Sequence, residues 1–292
     1  MKISGSIVAL VTPLHNDKVD RSALQALVRW HGEQGTDGIV VVGSTGEGSL
    51  LSSEERVEAI ECVVSQNQAL AKRMKIIAGC GTLSTRETIN MVQIAEKCGV
   101  NAVMVVSPSY VKPTQAGLRA HFNEVAASVD VPVVVYNHPG RTGVNVQNET
   151  LVAICNESEN VVAIKDSNPD LSRISRLRRD LPSRVSLLSG DDATNIGFLA
   201  QGGDGIISVT ANVFPALCKK FVEAWKQGDI SEACSIHQRL MPVHDVMFCE
   251  PNPGPAIYAT AKLRGFSNEL RSPLFPVQEE SAKKIDEVIS QV

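Results

Sequence analysis

No run of apolar residues in the chain approaches the ~18 that a membrane-crossing helix needs, so its hydrophobic residues are expected to serve a core and not a bilayer. There is no C-x-x-C pair, and the 7 cysteines are odd in number and scattered. That usage argues against a disulfide scaffold and for reduced thiols in a cytoplasm. The 6 histidines show no H-x-x-x-H spacing and no carboxylate cluster, so no metal site is expected. No G-x-G-x-x-G follows the first apolar segment and no G-K-[ST] occurs, which removes the usual dinucleotide and triphosphate signatures and leaves no cofactor implied. Positive charge is not in excess either: the formal net charge is -4, without a basic stripe for nucleic acid. The opening "MKISGSIVALVTPL" has one lysine, and Thr12 and Pro13 cut its apolar run short. It reads as a first strand and not as a signal peptide.

What is present is a periodic alternation. Hydrophobic residues make up 43% and charged residues 21% of the 292, enough for a sizeable core. Eight short apolar runs recur: "SIVALVTP" (6–13), "GIVVVG" (38–43), "KIIAGC" (75–80), "NAVMVVSP" (101–108), "VPVVVYN" (131–137), "VVAIKD" (161–166), "VSLLSGDD" (185–192) and "GIISVTAN" (205–212). They are continuous, not alternating, and rich in Val and Ile, as in parallel strands buried on both faces. Helical stretches such as "SALQALVRWHGEQG" and "TRETINMVQIAEKCG" lie between them, with start and stop signals at their ends. Eight strands alternating with helices predict a (β/α)8 TIM barrel over 1–224, ahead of a doubly wound sheet. Strands cease after that, and helical segments such as "QEESAKKIDEVISQV" form a C-terminal extension over 225–292.

Barrels of this kind place reactive groups at the C-terminal ends of their strands. The residues expected there are Ser44 and Thr45 after the second strand, Tyr110 after the fourth, Tyr136 and Arg141 at the fifth, and Lys165 at the sixth. Lys165 ends an unbroken apolar strand, and taking an ammonium out of water favours its neutral, nucleophilic form. Such an amine attacks ketones, and the resulting Schiff base serves as an electron sink for carbon–carbon bond formation. Tyr136 offers a proton shuttle, and the amides and hydroxyls of "GSTGEG" offer donors to a carboxylate. Singly, each residue also has a plain structural reading. Asp191 and Asp192 suggest capping and His138 a loop role.

Together, "GSTGE" at 43–47, "YNHPGRTG" at 136–143, "AIKDS" at 163–167, "SGDD" at 189–192 and "SVTANV" at 208–213 resemble the pyruvate-dependent class I aldolase family. The motifs fall in matching order, from the first strand to "EPNPGP" at 250–255. The resemblance implies Lys165 as the Schiff-base lysine, Tyr136 and Ser44 as proton-relay groups, and Tyr110 as a relay group lent to a neighbouring subunit. It implies Thr45, Gly190 and Ile207 at the pyruvate and Arg141 on the carboxylate of a second substrate. The "R-T-G" after the fifth strand points to the branch that condenses pyruvate with L-aspartate 4-semialdehyde in diaminopimelate and lysine biosynthesis.

Ser44 occurs in the sialic acid aldolase branch too, so a sibling enzyme acting on a sugar-derived 2-oxo acid is the alternative. A phosphate-binding barrel enzyme fits less well, because the glycine run at 202–205 precedes the eighth strand. The resemblance also implies a homo-oligomer, a tetramer made of two dimers. Feedback-inhibited members hold lysine at positions that here are Ser53, Arg56, Leu83, Glu87 and Ser109. Only the glutamate is kept, so weak or absent lysine inhibition is expected.

Overall fold

Each of the eight apolar runs supplies one parallel strand in the computed structural model, which describes residues 2–292. The strands are β1 (Gly5–Ala9), β2 (Gly38–Val41), β3 (Lys75–Gly79), β4 (Ala102–Val106), β5 (Val133–Asn137), β6 (Val161–Asp166), β7 (Ser186–Ser189) and β8 (Gly205–Ser208). They are hydrogen-bonded in the closed order β1-β8-β7-β6-β5-β4-β3-β2, the expected (β/α)8 barrel. Every residue of β1, β2, β5, β6, β7 and β8 is buried. That two-sided burial is why these strands read as continuous and not alternating apolar runs.

The helices are α1 (Arg21–Glu33), α2 (Ser53–Gln68), α3 (Thr85–Lys97), α4 (Gln115–Ala127), α5 (Pro139–Thr142), α6 (Asn148–Glu157), α7 (Ser172–Asp180), α8 (Asn195–Ala200), α9 (Pro215–Gln227), α10 (Ile230–Val246), α11 (Gly254–Arg264) and α12 (Glu279–Ile289). Their first turns are held by side chains that accept otherwise orphaned amide protons. Asp20 accepts from Ala23 N, Ser84 from Glu87 N and Thr114 from Gly117 N, while Ser52 and Glu55 form a reciprocal capping box. Gly228 and Gly265 close α9 and α11 at φ +80° and +76°, a conformation that costs glycine nothing.

Three details differ from the sequence reading. Residues Leu14–His15 and Lys18–Val19 form an extra antiparallel hairpin, turned by Asn16 and Asp17 at φ 50° and 60°. Asn and Asp tolerate left-handed backbone, and two such residues make the tight turn that matches strand twist. Helix α11 was not foreseen because it opens on Gly254 and Pro255 inside the turn-like "EPNPGP". The boundary expected at 224/225 falls inside α9, so the helical extension is counted from Gly228, where α9 ends.

The chain divides into two compact units. One comprises Ile77–Ile207 with the residues up to Gly5, and the other comprises Ser6–Ile76 and Ser208–Val292. No helix among the described residues is long and apolar enough to cross a membrane. All 7 cysteines are unbridged.

Candidate active site

Within the first unit, strands β5 and β6 run parallel with Tyr136 opposite Lys165 and Asn137 opposite Asp166. Successive residues of a strand point to opposite faces, so Tyr136 and Lys165 form one cross-strand pair and Asn137 and Asp166 the other. Lys165 is 6% exposed and Tyr136 4%. The Lys165 Nζ lies over the Tyr136 ring, 4.1 Å from its centroid. No carboxylate pairs with Lys165 among the described residues.

The wall beside the lysine is made by Gly190. Its N–H donates to Asp166 O at 2.9 Å, and its carbonyl accepts from Ser167 Oγ at 2.9 Å. A Cβ at this position would stand 2.2 Å from Ser167 Oγ and 2.8 Å from Lys165 Cε. Glycine is therefore required by space and not by backbone conformation. Ile207, on β8, is buried.

His138 follows β5, its ring centroid 5.7 Å from that of Tyr136. Burial, then the positive charges of Arg141 and Lys165, lower its pKa to about 4. It is thus a neutral imidazole near neutral pH. Its carbonyl accepts from the amides of Arg141 and Thr142, which folds "PGRT" into the single turn α5 and fixes where Arg141 leaves the chain. Arg141 itself is exposed. Tyr110 stands apart from this group: it is 88% exposed and holds a left-handed φ of +64°. A bulky residue in that region is under strain, and such strain clusters at functional positions. Asp191 and Asp192 accept from Thr194 Oγ1 at 3.1 Å and Asn195 Nδ2 at 3.1 Å respectively, and Asp191, at the N-cap position, makes no side-chain capping bond, so the expected capping is not seen there.

In the second unit, Ser44 and Thr45 sit in the tight turn after β2. Val42 and Glu47 flank them with φ of 47° and 55°, and a Cβ on Gly48 would lie 1.9 Å from Val42 O. The turn consumes the amides of Glu47 and Gly48, which donate to Ser44 O and Gly43 O. This narrows the set of amides that the sequence offered for a carboxylate to those of Gly43, Ser44, Thr45 and Gly46, which are not part of the turn's own bonding. Thr45 is 3% exposed, and its Oγ1 accepts from Asn252 Nδ2 at 3.3 Å. Asn252 was not singled out in the sequence; nothing in "EPNPGP" marks it as a partner for position 45. Among the described residues no cluster of three or more His, Cys, Asp or Glu could hold a metal ion.

The 4-hydroxy-tetrahydrodipicolinate synthase of Brucella abortus is 43% identical over 285 residues, 97% of this chain and 96% of that protein. The crystal structure of dihydrodipicolinate synthase from Aquifex aeolicus superposes with a TM-score of 0.96 at 39% identity, covering 99% of this chain and 98% of that one. The chloride-inhibited dihydrodipicolinate synthase of Acinetobacter baumannii, a structure complexed with pyruvate, gives 0.95 at 39% identity, with 99% of each chain covered. Residues 2–292 match the dihydrodipicolinate synthetase family, and the chain belongs to it.

Proposed function

We propose that the protein is a 4-hydroxy-tetrahydrodipicolinate synthase that condenses pyruvate with L-aspartate 4-semialdehyde in lysine biosynthesis. The observation that carries the reading is Lys165: a buried amine with no counter-ion, set against a tyrosine ring at the strand ends of the barrel. An ammonium held for structure at such depth would need a carboxylate partner. An amine held for reaction does not.

The Lys165 amine adds to the C2 carbonyl of pyruvate, and loss of water gives the imine. A proton leaves C3, and the resulting enamine carbon attacks the aldehyde of the second substrate, forming the new C–C bond and an alkoxide that takes up a proton. The amino group of the semialdehyde then attacks C2 and displaces Lys165, closing the ring and freeing the enzyme. Tyr136 moves the protons of imine formation, with Ser44 continuing the relay to Tyr110 of the partner subunit. Thr45, Gly190 and Ile207 shape the pyruvate site, and Arg141 takes the carboxylate of the semialdehyde with its planar fork of donors.

We further propose a homotetramer built as a dimer of dimers. The exposed apolar side chains of Leu83 (56%), Tyr110 (88%) and Val111 (56%) support it, since a monomer gains nothing by holding them in water. A cytoplasmic setting accords with unbridged thiols and a biosynthetic activity.

Borohydride reduction in the presence of pyruvate tests the proposal. One adduct is expected, located on Lys165 by peptide mass and absent from Lys165→Ala, together with turnover of the semialdehyde. Labelling elsewhere, or turnover only of a sugar-derived 2-oxo acid, refutes it.

A further inference from the structure

Behind the strand ends lies a buried polar cluster that no step of the reaction uses. Asp166, next to the nucleophile, is 2% exposed, and Arg173 in the first turn of α7 is 4% exposed. Asp166 Oδ1 accepts from Asn168 N at 2.8 Å and from Asn137 Nδ2 at 3.3 Å, and Arg173 Nε stands 3.4 Å from Oδ2. Burial pushes the Asp166 carboxyl above the usual carboxylate range, and the Arg173 charge works against that push. The guanidinium meanwhile donates in three directions: to Asn148 Oδ1 at 3.1 Å, Asn145 Oδ1 at 2.6 Å and Val146 O at 2.7 Å.

The segment 145–148 is also gripped from β5. Asn137 Nδ2 donates to Asn145 Oδ1 at 2.9 Å, and Asn137 Oδ1 accepts from Val146 N at 3.0 Å. Asn168 Nδ2 reaches the same Asn145 oxygen at 2.9 Å. That segment begins two residues after Gly143, which ends the turn carrying Arg141. One cluster therefore ties together three parts: the end of β6 with Lys165, the end of β5 with Tyr136, and the stretch that follows Arg141.

We propose that Arg173 is a positioning residue for this reaction, acting through Asp166 and Asn145 to hold the Arg141 segment in register with the Tyr136–Lys165 pair. It touches neither substrate. Its fork serves three acceptors and a carboxylate at once, which a single ammonium on a flexible stem does not reproduce. The oxygen of Asn145, where three donors converge, is the joint through which the β5 and β6 ends reach the 145–148 segment.

The inference rests on the synthase reading above, and wild-type trapping by pyruvate and borohydride checks that reading separately. Given a wild type that traps, Arg173→Lys is expected to lower kcat/KM for the semialdehyde by about tenfold or more, with a smaller change in the rate of pyruvate trapping. Asn145→Ala, at an exposed position and with its folding checked by Tm, is expected to raise KM for the semialdehyde. Asn145→Asp, which restores an acceptor to Arg173, is expected to bring KM back towards wild type. A cluster that served only stability would lower Tm and leave KM alone. Unchanged KM in Asn145→Ala, or equal damage in the Ala and Asp variants, overturns the proposal even if Arg173→Lys fails to fold.

Discussion

Lys165 and Tyr136 face each other in register across β5 and β6, with the amine 4.1 Å from the centre of the ring. Backbone hydrogen bonds set the register that puts the two residues opposite each other, and their side-chain rotamers bring amine and ring together.

Tyr136→Phe keeps the ring and the register and removes only the hydroxyl. If that hydroxyl carries the protons of imine formation, the rate of pyruvate trapping falls by about 10²-fold or more, while the adduct remains on Lys165 and Tm is nearly unchanged. Single-turnover trapping followed by mass spectrometry measures it. Trapping at the wild-type rate would show that the ring acts only by packing.

Gly190→Ala tests the space around the amine. The added methyl carbon would meet Ser167 Oγ at 2.2 Å and Lys165 Cε at 2.8 Å, so both side chains must move. Ser167 can turn only by giving up its bond to the Gly190 carbonyl, and the lysine must swing away from the new methyl group as well. The expected result is a loss of trapping by one to two orders of magnitude, about 1.4–2.8 kcal/mol, alongside a destabilisation of about 1–3 kcal/mol from overpacking. An active, fully trapping Ala variant would mean that the wall yields instead.

Much of this was legible in the sequence, for a physical reason. A strand buried on both faces has almost no use for a cation, so the lysine closing "VVAIKD" stands out against its own neighbours. Tyr136 stands out likewise at the end of the preceding strand. Arg173 does not. It is one of four arginines in "SRISRLRRD", a stretch that reads as a solvated helix face, and only the fold tells which of them is buried. Glu47 was hidden for a different reason. In "GSTGEG" the glycines suggest that they carry the unusual backbone, yet Val42 and Glu47 hold the positive φ values. Asn16–Asp17 is a turn signal in the sequence too short to announce the two-residue strands that it joins.

Sensitivity to lysine is a further test, at positions away from the reacting groups. Arg56 on α2 is 8% exposed, while Leu83 is 56% exposed and offers no hydrogen bond to an amino acid's polar ends. A cation at Arg56 opposes a cationic ligand, and each polar group that a ligand buries without a partner costs about 1–3 kcal/mol. Rates at saturating pyruvate are expected to be nearly the same with and without millimolar L-lysine. Half-inhibition below that range contradicts the expectation.

Glu47 makes stability depend on pH in an unusual direction for a carboxylate. Its side chain is buried in the turn after Thr45, with Oε2 accepting from Arg271 N at 2.8 Å and Oε1 without a hydrogen bond. Burial raises its pKa from 4.5 to about 7, against the pull of the Arg271 amide and charge. That pull is limited because the guanidinium is already engaged by Glu55 at 2.8 Å and Asp17 at 2.9 Å. The folded state thus favours the protonated acid. Its contribution is complete below pH 4.5, where the unfolded chain is protonated as well, and is lost as pH rises through about 7. Glu47→Gln copies the protonated form and does not titrate. The variant is expected to match wild type at about pH 4 and to gain on it by about 1–3 kcal/mol by pH 8.5. Urea unfolding of both proteins at the two pH values measures the difference. A gap of the same size at both would mean that Glu47 is ionised in the fold throughout this range, and that Arg271 outweighs its burial.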